Sequence, residues 1–179
     1  VGGMMARLDK TFPTIDCSIC ILGPKMVDVA QHDKVKLHAY SEIEDIKGYV
    51  GNYQVTIRKK ATYVDWTKCT GCGECMEKCP SRNAYDHFNF GVAPTRAINI
   101  PFPQAIPKKA KIDPTFCRHF TKGKCGVCAK VCPTGAINYE MEDELVTEDV
   151  GAIIVASGYG LIDIDRLPVG PVERRLDVV

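Results

Sequence analysis

Residues 69–80 read CTGCGECMEKCP and residues 117–133 read CRHFTKGKCGVCAKVCP, so the chain contains two cysteine runs that each end in Cys-Pro. The first run has the spacing C-x2-C-x2-C-x3-C-P. This spacing directs three thiolates to one iron–sulfur cube and the fourth thiolate to a neighbouring cube. The two runs therefore predict a pair of 4Fe-4S clusters.

The second run differs from the first at one place. Seven residues, 118–124, separate Cys117 from Cys125, where the first run has two. Cys117 remains a ligand if this inserted loop bulges outward, while residues 74–78 suit a short helix that carries Cys79 away from its own loop. We expect cluster one to take Cys69, Cys72, Cys75 and Cys132, and cluster two to take Cys117, Cys125, Cys128 and Cys79.

The two runs lie in stretches that repeat each other. YVDWTKCTGCGECMEKCPSRNA at residues 63–84 aligns with KIDPTFCRHFTKGKCGVCAKVCPTGAI at residues 111–137. Both stretches have an aspartate four residues before the first cysteine, Asp65 in one and Asp113 in the other. The repeat indicates a duplicated two-cluster ferredoxin domain over residues 61–147.

Other uses of the eight cysteines fit the spacing less well. A zinc site would need four ligands in C-x2-C pairs, and clustered cysteines without a secretory leader favour metal binding over disulfides. His119 in the inserted loop could replace Cys117 as a ligand, but we prefer to interpret it as a surface histidine. The cubane interpretation is therefore the leading one.

Composition excludes several classes of function. The 179 residues are 45% apolar, and 23 lysines and arginines face 22 acidic residues. Such a balance does not favour nucleic acid or an anionic membrane as a partner, and no apolar run approaches the roughly 20 residues of a spanning helix. We expect a cytoplasmic protein of one domain, or one domain with fragments.

Charge is uneven over short distances. Residues 58–60, 108–111 and 118–124 are basic, with Arg118, Lys122 and Lys124 in the last run, whereas residues 140–149 contain six acids and no base. We prefer solvated faces and a hairpin turn as the explanation, with docking patches as the alternative. An acidic electron carrier is the partner that the basic loop would suit.

The flanks differ from a ferredoxin. Alternating apolar residues at 35–39 and 53–57, around a Gly-Asn turn, predict two strands, and residues 19–31 predict a helix that Gly23-Pro24 breaks or starts. VGAIIVA at residues 150–156 predicts a strand buried in an α/β sheet. Residues 81–113 predict an irregular surface connection. The fold class is α+β, with the ferredoxin module inserted between strands of a partial α/β domain.

Both flanks resemble one family. VGGMMARLDKTFPTIDCSICILGPKMVDVAQH, at residues 1–32, resembles a segment of the A subunit of heterodisulfide reductases, and GAIIVASGYGLID, at residues 151–163, resembles the strand with which that family re-enters its flavin domain. The resemblance implies a thioredoxin-reductase-like FAD domain interrupted by a two-cluster ferredoxin insert. Residues 1–60 and 148–179 are then parts of the FAD-binding domain.

The resemblance also implies which residues contact FAD. Gly2, Gly3, Met4 and Arg7 correspond to the loop along the flavin, and Ala156, Ser157 and Gly158 correspond to a second flavin-contacting turn. The sequence has no G-x-G-x-x-G before Gly2, although the dinucleotide site of this class requires one. We therefore expect this chain alone to bind FAD poorly.

Cys17 and Cys20 form a separate C-x2-C pair. Three interpretations stay open: two small residues beside a cofactor, ligands of a further cluster completed by other residues, or a redox dithiol.

The expected function is electron transfer. The resemblance implies that the clusters relay electrons between FAD and ferredoxin or a partner subunit. It places them in a flavin-based electron-bifurcating complex with other heterodisulfide reductase subunits and with hydrogenase or formate dehydrogenase. The chain itself is expected to have no substrate site. The alternatives are a stand-alone soluble ferredoxin carrier and a structural role in which the clusters only stabilise a small core.

Overall fold

Short helices and strands joined by long irregular segments make up this chain in a computed structural model, which describes residues 2–160. The first elements are a 3-10 helix at Gly3–Arg7, strands β1 (Lys10–Thr11) and β2 (Asp16–Cys17), helix α1 (Ser18–Gln31), and strands β3 (Ser41–Tyr49) and β4 (Asn52–Lys59). After them come α2 (Glu74–Glu77), β5 (Ile98–Asn99), β6 (Lys111–Ile112), α3 (Arg118–Lys122), α4 (Val127–Val131) and β7 (Glu144–Val150).

Helix α1 is continuous, so the prediction that Gly23-Pro24 breaks or starts it is wrong. Proline removes one backbone hydrogen bond from a helix interior, and packing on one face compensates for that loss. Met26 is only 2% exposed on this face. Ser18, fully buried at the start of the helix, donates a hydrogen bond from its hydroxyl to the carbonyl oxygen of Leu8.

An antiparallel sheet with the strand order β3-β4-β7 joins the two flanks of the cysteine region. The turn between β3 and β4 lies where the sequence predicts it, but the first strand begins at Ser41 rather than at residue 35. Ser41 pairs with Lys59, the last residue of β4, so residues 35–39 extend beyond the end of the partner strand. Without backbone groups to pair with, their alternating pattern does not produce a strand.

The predicted buried strand at residues 150–156 is also wrong. The strand in this region is β7, which takes up part of the acidic run that we interpreted as a solvated face and hairpin turn. Val150 pairs with Tyr53, one residue from the start of β4, so the apolar residues that follow leave the sheet. Ile154 and Val155 are 91% and 83% exposed among the described residues.

The core of the module lies between the two cysteine runs. Its members are small or β-branched residues and cysteines: Val64, Cys75, Cys79, Ala97, Ile98, Ala110, Ile112, Cys117, Cys128 and Ala136. Ala97, Ile98, Ala110 and Ile112 come from the connection at residues 81–113. That connection is mostly irregular, as predicted, but it does not lie only on the surface, because β5 and β6 pair inside the core.

The two halves of the module are linked by backbone contacts. Val64 and Ile137 form an antiparallel bridge, and the N–H of Asp65 donates to the carbonyl oxygen of Ala136 at 2.6 Å. Helix α2 packs against α4. The cysteine run of each half is therefore held beside that of the other.

Candidate metal centre

Four cysteines from both runs line one small cavity. Three of them, Cys69, Cys72 and Cys75, come from the first run, and Cys132 comes from the end of the second. The apolar side chains of Val64, Ala110 and Ile137 complete much of the wall. The space between and around these side chains, open solvent included, is about 340 Å³.

A second cavity has the reciprocal composition. Cys117, Cys125 and Cys128 of the second run line it together with Cys79, the last cysteine of the first run. Its space is similar, about 300 Å³, and Ile98 and Ile112 form part of its wall. The structure thus brings the eight cysteines together in the same two groups of four that the spacing predicts.

The first cysteine loop needs glycine at a defined point. Gly71 has φ 71°, and a Cβ atom there would lie 2.2 Å from the carbonyl oxygen of Lys108. Only glycine tolerates both this dihedral angle and this close backbone approach. Helix α2 then turns the chain so that Cys79 reaches the second cavity.

The inserted loop of the second run forms a helix. Helix α3 occupies Arg118–Lys122 and ends at Gly123, which has φ 64° and donates its N–H to the carbonyl oxygen of His119. His119 lines neither cysteine cavity, and it is partly buried rather than on the surface as we expected. The helix removes the extra residues from the path between Cys117 and Cys125.

The two repeated aspartates make the same turn. The side chain of Asp65 accepts from the N–H of Thr67 at 2.9 Å, and that of Asp113 accepts from the N–H of Thr115 at 2.9 Å. Their carbonyl oxygens accept from the N–H groups of Cys69 and Cys117 at 2.9 and 3.1 Å. These turns place the first cysteine of each run, which explains why the sequence repeats the aspartate.

Two of the buried thiols, Cys75 and Cys128, are unfavourable as bare thiolates in these surroundings. Burial, followed by the neighbouring Cys69, Cys128 and Cys72, raises the pKa of Cys75 to about 12. Burial also raises the pKa of Cys128, although the hydrogen bond with Tyr139 opposes the shift. A cationic centre between the sulfurs would favour deprotonation, because coordination by a metal removes the thiol proton.

The donor set fits an iron–sulfur cube. Within residues 2–160, no three cysteine, histidine or carboxylate side chains converge closely enough to hold one metal ion. The four thiols of each cavity instead surround a void, as ligation of a 4Fe-4S cluster by four cysteine thiolates requires. No disulfide links any of the ten cysteines.

Tyr139 is a site residue that the sequence analysis missed. Its hydroxyl lies 2.9 Å from the sulfur of Cys128, and its ring stacks on His119 with the centroids 3.7 Å apart. His119 in turn has its Nδ1 atom 2.7 Å from the carbonyl oxygen of Cys125. Tyr139 follows the Cys-Pro by only a few residues in the sequence, but no motif indicates that it returns to the cavity.

Replacing Tyr139 by phenylalanine should lower the reduction potential of cluster two. Hydrogen bonds to cluster sulfurs stabilise the reduced form. One such bond contributes about 1 kcal/mol net, and since about 59 mV corresponds to a tenfold change in a one-electron equilibrium, the expected shift is on the order of 40 mV. A redox titration followed by EPR measures it.

Tyr63 provides the matched control for this variant. Its ring packs on Phe120 with the centroids 4.5 Å apart, and its hydroxyl makes no hydrogen bond within the described residues. Tyr63→Phe should leave both potentials unchanged. Equal shifts in the two variants would mean that ring packing rather than the hydroxyl of Tyr139 sets the potential.

The residues assigned to flavin contacts do not form a common cavity within residues 2–160. Gly2 packs against α1, since a Cβ atom there would lie 2.9 Å from the sulfur of Met26. Arg7 donates to the carbonyl oxygen of His87 at 2.8 Å, and its guanidinium lies 4.5 Å from the ring centroid of Phe90. Met4 accepts a hydrogen bond from Arg7 through its sulfur at 3.6 Å. Gly2, Met4 and Arg7 thus contact other residues of this chain.

The second flavin-associated segment lies apart from the first. Ala156, Ser157 and Gly158 are exposed and belong to no strand. An aromatic cavity includes Gly3 and Arg7 together with Trp66, Phe88 and Phe102, but it includes none of residues 156–158. The residues present here therefore do not fit FAD by themselves.

Cys17 and Cys20 lie at the start of α1. Their sulfurs are 2.7 Å apart. Hydrogen bonds with Cys20, first with its side chain and then with its backbone N–H, lower the pKa of the Cys17 thiol. The side-chain hydrogen bond with Cys17, followed by burial, raises the pKa of the Cys20 thiol. Neither residue lines the two cysteine cavities. The three interpretations of this pair stay open.

Comparisons with known proteins agree with the spacing of the cysteines. A family model described as a 4Fe-4S dicluster domain matches residues 68–136. This match covers both cysteine runs. Among the described residues, no helix is both long and apolar enough to span a membrane.

Curated relatives match almost the whole chain. The A subunit of H(2):CoB-CoM heterodisulfide,ferredoxin reductase of Methanothermobacter marburgensis is 47% identical over 91% of the chain, and a protein of Archaeoglobus profundus named as similar to the heterodisulfide reductase A subunit is 50% identical over 91%. The iron-sulfur A subunit of CoB--CoM heterodisulfide reductase of Methanocaldococcus jannaschii is 45% identical over 91%. The chain spans only 24–26% of the length of these relatives.

Proposed function

The chain belongs to the family of heterodisulfide reductase A subunits, of which it matches one segment, and we propose that this segment relays electrons through two 4Fe-4S clusters held by eight cysteines. Iron–sulfur electron transfer in an oxidoreductase follows from the relatives and from the dicluster match. The assignment of the individual ligands is the part we propose.

The observation that carries the assignment is the composition of the two cavities. Each contains three thiols of one run and one thiol of the other, namely Cys132 in the first cavity and Cys79 in the second. When bound, the clusters supply one-electron transfer at iron. The chain holds them with thiolates, limits contact with water through apolar walls, and tunes the second cluster through the hydroxyl of Tyr139.

The surroundings of the cavities support a route for the relay. Trp66 and Lys109 line the aromatic cavity that also includes Gly3 and Arg7 of the N-terminal flank. Lys109 donates to the carbonyl oxygen of Cys69, and Trp66 donates to the carbonyl oxygen of Ala110 at 2.8 Å. Both acceptor residues line the first cavity. Electrons would thus enter or leave on the flank side through cluster one.

The complete subunit would extend this relay. We assign to it the FAD, electron bifurcation, and a complex with other heterodisulfide reductase subunits and with hydrogenase or formate dehydrogenase. The name of the Methanothermobacter marburgensis relative supports a hydrogen-linked and ferredoxin-linked assembly. Because residues 2–160 do not assemble a flavin site, the flavin belongs to this proposal for the complete subunit only.

Anaerobic reconstitution with iron and sulfide, followed by low-temperature EPR of the reduced chain, tests the relay. We expect two S = 1/2 centres whose signals broaden by mutual interaction, with about two electrons accepted per chain. Cys72→Ala is the control, since loss of one cluster should leave one unbroadened signal. Clusters that bind but accept no electrons would favour the structural role, and zinc in place of iron would contradict the assignment.

A further inference from the structure

An exposed groove beside cluster two is lined by three cationic side chains. Arg82, Arg118 and Lys122 surround it, and Pro80, Ser81 and Phe116 form part of its floor. Among the residues that the structure describes, no carboxylate belongs to its lining. We call this feature the cationic groove.

The cations of the groove are free of partners, unlike most of those in the other basic runs. Within residues 2–160, neither Arg82, Arg118 nor Lys122 makes an ion pair or a side-chain hydrogen bond. By contrast, Arg58 pairs with Glu44 at 2.6 Å, Lys59 pairs with Glu144 at 3.3 Å, and Lys60 pairs with Glu42.

Two of the three lysines in the basic run at residues 108–111 are also engaged internally. Lys109 donates to the carbonyl oxygen of Cys69, and the ammonium of Lys111 lies 4.7 Å from the ring centroid of Tyr40. Among the three basic runs, all within the part of the chain that the structure describes, only the one at residues 118–124 therefore contributes unpaired charge to this concave surface. Arg82, which lies outside all three runs, joins it through the fold.

The groove adjoins the cavity of cluster two. Pro80, Ser81 and Arg118 line both features. Pro80 directly follows Cys79, and Arg118 directly follows Cys117, so a molecule seated in the groove lies one residue away from two of the four thiols. The aromatic cavity that includes Gly3 and Arg7 of the N-terminal flank adjoins the cavity of cluster one instead.

We propose that the cationic groove docks a protein electron carrier with an acidic surface, and that electrons pass between this carrier and cluster two. This inference rests on the proposed function and names the exchange surface of the relay. Unpaired cations at a concave surface attract an oppositely charged partner and raise the association rate at low salt. The open groove presents several separate charges, which suits a protein surface better than one small anion.

The test measures electron transfer from the reduced two-cluster chain to an acidic flavodoxin by stopped-flow absorbance. Arg82→Glu combined with Lys122→Glu should lower the second-order rate constant about tenfold or more at low ionic strength. At about 0.5 M salt the difference from the unmodified chain should largely disappear, because surface charges are then screened.

Lys124→Glu combined with Lys25→Glu is the matched control, since it makes the same change in net charge at exposed positions outside the groove. It should lower the rate constant less than about twofold. Equal losses in both double variants, or no loss in either, would overturn the proposal. Inhibition by millimolar inorganic phosphate at constant ionic strength would also overturn it, in favour of a small-anion site.

A neutral one-electron mediator separates this inference from the proposed function. Iron content and the rate of reaction with the mediator should be the same in all variants. A chain whose clusters react with the mediator but whose groove variants behave like the control refutes only the docking surface. A chain whose clusters exchange no electrons with the mediator refutes the relay itself.

Discussion

Replacing Cys79 and Cys125 together by alanine is expected to leave about four iron atoms per chain, whereas replacing Cys79 and Cys72 together should leave almost none. In the crossed arrangement Cys79 and Cys125 belong to the same cluster, so the second substitution costs no further iron once the first has removed that cluster. Cys79 and Cys72 belong to different clusters, so both are lost. Iron and acid-labile sulfide analysis of reconstituted protein measures the outcome.

The opposite pattern would contradict the crossed arrangement. If Cys79 completed the cluster of its own run, the pair Cys79 and Cys72 would leave one cluster and the pair Cys79 and Cys125 would leave none. Alanine is preferable to serine, because a hydroxyl can replace a thiolate as a ligand. The variant with both Cys17 and Cys20 replaced is the control, and a loss of iron in it would favour ligation of a further cluster by that pair.

Removing the iron should unfold the cysteine-containing core. Four of its ten buried members are cysteines, and Val64, Ile98 and Ile112 are its larger apolar residues. Without the clusters nothing joins the four cysteines of each cavity, and the folding free energy that ligation contributes, on the order of 10 kcal/mol for a structural metal site, is lost. This loss is comparable with the whole stability of a small domain, about 5–15 kcal/mol.

Thermal unfolding measured by near-ultraviolet circular dichroism, before and after anaerobic chelation of iron, checks this prediction. The signal of Trp66, whose indole N–H donates to the carbonyl oxygen of Ala110 at 2.8 Å, reports on the core directly. We expect the cooperative transition to disappear in the iron-free chain and to return on reconstitution. An iron-free chain that keeps the same transition temperature would show that the apolar contacts suffice without clusters.

In the proposed crossed arrangement, the exchange of fourth ligands ties stability to electron transfer. Cys79 leaves its own loop at the end of α2 and Cys132 leaves its own at the end of α4, and the two helices pack on each other. Each cavity is thus closed only when both halves are in place. The same packing holds the two cavities beside each other, which is the condition for transfer between two cofactors.

Predictions from local patterns succeeded where the neighbouring residues decide the conformation. The short helix after Gly73 and the turn between β3 and β4 lie as expected, since a proline and a glycine mark where these elements end. The apolar run after Val150 was misassigned because a strand needs a partner, and β4 ends its pairing with β7 near Tyr53. The burial of Ala97 and Ala110 was likewise not predictable from their neighbours, because nothing in an irregular proline-rich stretch indicates burial.

Cysteine spacing alone predicted how the eight thiols divide into two sets of four, because loops of two and three residues, between all neighbouring cysteines of a run except Cys117 and Cys125, restrict where sulfur atoms can point. Only the tertiary structure decided that the hydroxyl of Tyr139 reaches Cys128 and that Arg82 joins Arg118 and Lys122 in one groove. These contacts join residues distant in sequence, so they depend on how the two halves pack and not on any local pattern.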